Sequence, residues 1–121
     1  QTIYIQYGEL VNEKQFYVIL LAIFIHIAIW FQLNGQLIWK WFKDNPLLLS
    51  LLGVPISYAW LRFTAIGYES FGQLWSVRLI GFATGMISFP IMTWLLFNEG
   101  ITLKTALSIL LSCVIMLLQF L

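Results

Sequence analysis

"FYVILLAIFIHIAIWFQLNG", residues 16–35, runs for twenty positions without a charged side chain. At about 1.5 Å per residue, a helix of that length spans a hydrocarbon core of about 30 Å. Its apolar residues are continuous rather than alternating, so it reads as a membrane helix and not as a barrel strand. Composition supports this reading. The chain has 121 residues, of which 61% are hydrophobic and 9% charged, and its mean hydropathy is +0.91. Soluble domains carry about 25% charged residues. Eleven charged groups could not cover so much apolar surface in water, whereas lipid leaves that surface uncovered at no cost.

Three more apolar runs follow. In "DNPLLLSLLGV" (residues 44–54) Asn45 is placed to cap a helix whose first position is Pro46, and that span ends near Gly67. "GYESFGQ" and "NEG" bound a third span, and the fourth starts at Thr102 or Leu103. The expected fold is an all-α integral membrane protein, a four-helix transmembrane bundle with spans at about 16–36, 46–67, 75–97 and 102–121. It is a multi-pass protein of a bacterial inner membrane or its equivalent, with the lipid bilayer as its first partner. Residues 1–15 alternate polar and apolar side chains over Thr2–Tyr7 and read as an extramembrane arm. They lack the basic region, short apolar core and cleavage site of a signal peptide. Pro55 and Pro90 fall inside spans two and three, where each removes a backbone hydrogen bond and favours a kink.

Charge leaves the orientation open. With four spans, Lys14, Arg62 and Arg78 lie toward one side of the membrane and Lys40, Lys43 and Lys104 toward the other, so the positive-inside rule gives no bias. An unbiased chain can insert both ways and pair as an antiparallel homodimer. Alternatively, the helix-embedded arginines count for less and Lys40 with Lys43 set one orientation. Aromatic residues mark both interfaces: Phe16, Tyr17, Tyr68, Phe71 and Trp75 on one, Trp39, Trp41, Trp94 and Phe97 on the other. Gly81 and Gly85 form a small-xxx-small face, and Ser108 with Ser112 repeats the spacing on the last span. Such faces let backbones approach closely where apolar burial supplies no drive. They mark a helix contact, either within the chain or across a dimer.

His26, the only histidine, lies at the midpoint of the first span. Ionisable groups at that depth face a bundle interior or an aqueous cavity, so two readings are open: a site, or a hydrogen bond between helices. Helical spacing places Trp30 and, somewhat rotated, Asn34 on the same broad face. Gln32 and Gln36 project from another face, and Gln32, Asn34 and Gln36 are all expected to meet headgroups or a cavity mouth. Tyr58, Trp60 and Trp75 are candidates to line a cavity for an aromatic or cationic molecule. Arg62 and Arg78 are near enough to helix ends to snorkel, with Glu69 as an expected ion-pair partner. If they stand instead at a cavity mouth, they suit a carboxylate or phosphate.

Other chemistries are excluded or unsupported. The net charge of +1 gives no reason to expect nucleic acid. One histidine and one cysteine, Cys113, do not make a zinc site or a disulfide framework. The sole aspartate, Asp44, lies 18 residues beyond His26, about 27 Å along a continuous helix, too far for a triad. No glycine-rich phosphate loop is present. Neither an enzyme nor a cofactor or metal is expected.

The passage "WLLFNEGITLKTALSILLSCVIMLLQFL", residues 94–121, together with "LWS" at Leu74–Ser76, resembles the small four-helix members of the drug/metabolite transporter superfamily, which include the small multidrug resistance proteins. The likeness lies in an aromatic cluster closing span three, a short turn with an acid at Glu99, a final apolar helix used for pairing, and a tryptophan opening span three. It covers about residues 16–121. The resemblance implies a dimeric transporter with a site near the bilayer midplane, framed here by His26, Trp30, Asn34, Tyr58, Trp75 and Arg78. Two departures change that expectation. The family's first-span glutamate is absent and His26 stands at roughly its depth, while the glycines expected after the tryptophan are Val77 and Leu79. If a proton is exchanged, His26 is the intramembrane group with a suitable ordinary pKa, about 6.5. An anionic or neutral substrate served by Arg78 is equally compatible. The competing expectation is an accessory protein that packs against a larger membrane complex through its glycine face and N-terminal arm.

Overall fold

A computed structural model describes residues 13–120, and among these every regular element is helical. α1 (Glu13–Asn34) continues into a 3-10 turn at Gly35–Leu37; α2 (Lys40–Asp44) and α3 (Pro46–Ser50) are short; α4 (Gly53–Phe71), α5 (Leu74–Phe97) and α6 (Leu103–Leu118) complete the chain. Three stretches are long and apolar enough to cross a membrane: Glu13–Leu37, Pro46–Phe71 and Leu74–Phe97. α6, where the fourth span is expected, has 16 residues, about 24 Å of helix.

α1 is the centre of the packing. It lies against both α4 and α5, which meet each other less extensively, and α6 packs on α5. Val18, Ala22 and Ile25 are wholly or almost wholly buried and recur at the three- and four-residue spacing of one helical face. They meet Phe63 of α4 and Val77 and Ile80 of α5 in one cluster. The buried face of α5 is mostly small: Ser76, Val77, Ile80, Gly81, Ala83, Thr84 and Ser88. Large apolar side chains such as Phe24, Leu61 and Leu110 point outward.

Several local expectations are met and others corrected. Thr102 caps α6, its Oγ1 accepting from the Thr105 backbone N–H at 3.3 Å. Asn45 precedes Pro46 as expected but donates back to the Trp41 carbonyl at 2.8 Å instead of capping α3. The kink expected at Pro55 takes the form of a break at Leu51–Leu52, one turn earlier. Proline has no N–H to give the Leu51 carbonyl, and that carbonyl is taken by Val54 N at 3.2 Å in a tighter turn. Gln32 of α1 seals the break, its Nε2 donating to the Leu49 carbonyl at 3.1 Å. This places Gln32 in a helix contact. Pro90, by contrast, sits in an unbroken α5.

The expected N-terminal arm, residues 1–15, lies largely outside the described residues, but its last three positions form the first turn of α1. They tie down the opposite end of α4. Lys14 Nζ pairs with Glu69 at 3.6 Å, and Gln15 Nε2 donates to the Ser70 carbonyl at 3.2 Å. Glu69 is therefore the partner of Lys14, not of Arg62 or Arg78, because the end of α4 faces the start of α1. The α4–α5 turn closes at Gly72, whose φ of +74° is the left-handed conformation that glycine adopts without strain.

Candidate functional site

The inner face of α5 carries two different contacts. Toward α1, Gly85 leaves room for the His26 ring. A Cβ on Gly85 would lie 2.7 Å from His26 Cε1, so the ring occupies the space that glycine leaves. His26 Nε2 is 2.9 Å from the Gly81 carbonyl. A carbonyl only accepts, so Nε2 carries the hydrogen and Nδ1 is the ring's remaining polar atom. The Trp60 ring of α4 stands edge-on to the imidazole, centroids 5.3 Å apart and planes at 78°. Phe63 repeats that geometry on Trp60 at 5.1 Å.

Toward α4, the same stretch of α5 opens into a groove of about 810 Å³, within the size range of small-molecule sites. His26 and Trp60 line its inner wall, Trp75 and Arg78 one end, and Phe82, Gly85 and Met86 the flank along α5. The midpoint of Glu13–Leu37 falls at Ile25, so His26 sits midway along the first long helix. Arg78 lies one turn from the start of α5 and is exposed, its guanidinium 5.6 Å from the centroid of the Phe82 ring. A cation over an aromatic face is held there by the ring's quadrupole. Thr64 also lines the groove and donates its hydroxyl hydrogen to the Trp60 carbonyl at 3.0 Å, which leaves its oxygen as an acceptor.

Of the six residues that the sequence groups as a site, His26, Trp75 and Arg78 line this groove together. Trp30 is buried and donates Nε1 to Thr93 Oγ1 of α5 at 3.0 Å, a cross-link between helices. Asn34 lies at the far end of α1, its Nδ2 buried without a hydrogen-bond partner. Tyr58 is 65% exposed on the outer side of α4, and it is Trp60 that fills the aromatic position in the groove. The 100° step of a helix separates residues 58 and 60 by about 200°, so only one of the two can face inward. Thr64, one turn beyond Trp60, shares its face and could have been found on that ground.

The packing residues have a definite place. A Cβ on Gly81 would stand 3.6 Å from Phe63 and 3.7 Å from Trp60, so the glycine face contacts α1 and α4 of the same chain. Ser112 is buried, its hydroxyl donating to the Ser108 carbonyl at 2.9 Å. Among the described residues no group of three metal-ligating side chains comes together.

In comparisons with protein-family models, with curated proteins and with solved structures, no match to the chain is found. The resemblance to small drug/metabolite transporters rests on the residues quoted for it.

Proposed function

We propose that this protein is a small transporter-like membrane protein that takes a small molecule into the groove between α4 and α5, with His26 at its inner wall. α6 serves in this reading as a fourth span, extended by flanking residues and by local thinning of the bilayer. The observation that carries the proposal is the groove itself: about 810 Å³, flanked by α4 and α5 and reaching a histidine midway along α1. In lipid, a polar side chain at that depth is retained where it faces a cavity or a helix contact. His26 has both. Nε2 serves the contact, and the ring edge remains available to a bound molecule. Membership of the drug/metabolite superfamily and function as a dimer belong to the same proposal, with the outer faces of α5 and α6 free to meet a second copy.

The alternative, an accessory protein docked through its glycine face, has less support, since Gly81 and Gly85 are already occupied by Trp60, Phe63 and His26 of the same chain. One experiment separates the two. In a Cys113→Ser chain carrying a single cysteine at Gln119, an impermeant thiol reagent is applied to each face of sealed vesicles in turn. Labelling from both faces is expected for dual insertion and an antiparallel dimer. Labelling from one face, with normal expression, moves the assignment to the accessory protein.

A further inference from the structure

We propose that the groove selects an amphiphile with an anionic head, such as a long-chain carboxylate, its head at Arg78 and its chain running inward toward His26. This rests on the reading of the groove as a binding site and names what that site takes.

Charge is the first argument. Among the described residues Arg78 is the only charged side chain lining the groove, and no Asp or Glu of these lines it. Among the described residues the one ion pair is Lys14–Glu69, so none of their carboxylates pairs with Arg78. Its guanidinium offers a planar fork of N–H donors that matches a carboxylate in two parallel bonds, and the contact with Phe82 keeps the fork at the groove. The start of α5 adds to the same field. It has no acidic residue in its first turn, and Gln73 makes no side-chain cap, so the positive end of the helix is uncompensated by protein.

Shape is the second argument. From Arg78 the groove follows Gly81, Phe82, Gly85 and Met86 down α5, faced by Trp60 and Phe63 of α4. These are apolar or lack a side chain, and the stretch Leu74–Met86 measures about 18 Å along the helix. The cleft lies between one pair of helices and is open along its outer side. Leu74, Trp75 and Phe82, on its rim, are more than 60% exposed, so an amphiphile can enter sideways from the lipid with its head still at the interface. A cationic head would meet Arg78 as a like charge. An uncharged head would forgo the charge-assisted bonds.

The test is photo-labelling of the intact protein in phosphatidylcholine nanodiscs. Three probes of equal chain length carry a diazirine near the chain end: a fatty acid, the matching alcohol and the matching amine. Labelled peptides are mapped by mass spectrometry. The acid should label Thr64 and the Gly81–Met86 segment about tenfold more than the alcohol, and the amine least. Arg78→Gln should remove that preference, and Arg78→Lys should keep part of it. Thr64→Phe, which fills the groove, should abolish labelling there by every probe. If acid and alcohol label the groove equally and Thr64→Phe still stops both, the groove stands and the anion preference is wrong. If labelling spreads over outward positions such as Phe24 and Leu110 and ignores Thr64→Phe, the binding site itself is wrong. The comparison of probes on the unmodified chain decides the matter even if an arginine variant fails to fold.

Discussion

α5 meets α1 at Gly85 and α4 at Gly81, yet the α1–α5 seam is closed and the α4–α5 cleft is open. At the seam, small residues allow close approach, and two polar cross-links span it: His26 to the Gly81 carbonyl and Trp30 to Thr93. At the cleft, Trp60 and Phe63 line the α4 side while Trp75 and Phe82 stand exposed on the α5 rim, with no side-chain hydrogen bond between the two helices among the described residues. In an apolar solvent, burial of apolar surface does not choose helix partners; packing and polar bonds do. The seam holds the fold, and the cleft is left for something else.

Substitutions can break or sharpen that contrast. The largest effect is expected from Gly85→Leu, which has no space beside the His26 ring. It should cost about 3 kcal/mol in equilibrium unfolding from mixed micelles, or prevent the protein from accumulating. His26→Ala removes the ring and its bond and should cost about 2 kcal/mol in the same measurement. His26→Phe keeps a ring against Trp60 and should cost less than the alanine. Trp30→Phe keeps most of the buried area but loses the bond to Thr93, and should cost about 0.6 kcal/mol, the typical value for a bond between membrane helices. Thr64→Phe sits at the open cleft and should change stability by no more than about 0.5 kcal/mol while blocking entry to the groove. The smallest effect is expected for Lys14→Ala. Its pair with Glu69 is solvent-exposed on both sides, and such pairs contribute close to nothing.

Much of the fold is legible in the sequence because long apolar helices show themselves in simple features: length, continuous apolarity, proline and glycine at the ends. The start of the second span at Pro46, the cap at Thr102 and the interior position of His26 all follow from such local rules. Facing is harder. A helix apolar all round gives no stripe to read, so the choice between Tyr58 and Trp60 is settled only by packing against α1. Long-range pairing is harder still. Nothing near Glu69 in sequence announces Lys14, 55 positions earlier, and the natural neighbours Arg62 and Arg78 are the wrong partners. The break at Leu51–Leu52 is half visible, since Pro55 predicts a disturbance but not that Gln32 will close it.

The central claim is that the groove beside α4 and α5 is open to an entering molecule while the α1–α5 seam is closed. In a Cys113→Ser background, the rate of thiol modification by a small methanethiosulfonate should be compared for Thr64→Cys, in the cleft, and Thr84→Cys, buried in the seam at 1% exposure. The account predicts reaction at Thr64→Cys at least about tenfold faster, since only a wet site supports the thiolate. Equal, slow rates at the two positions would contradict it, and the groove would then be a packing gap instead of a site.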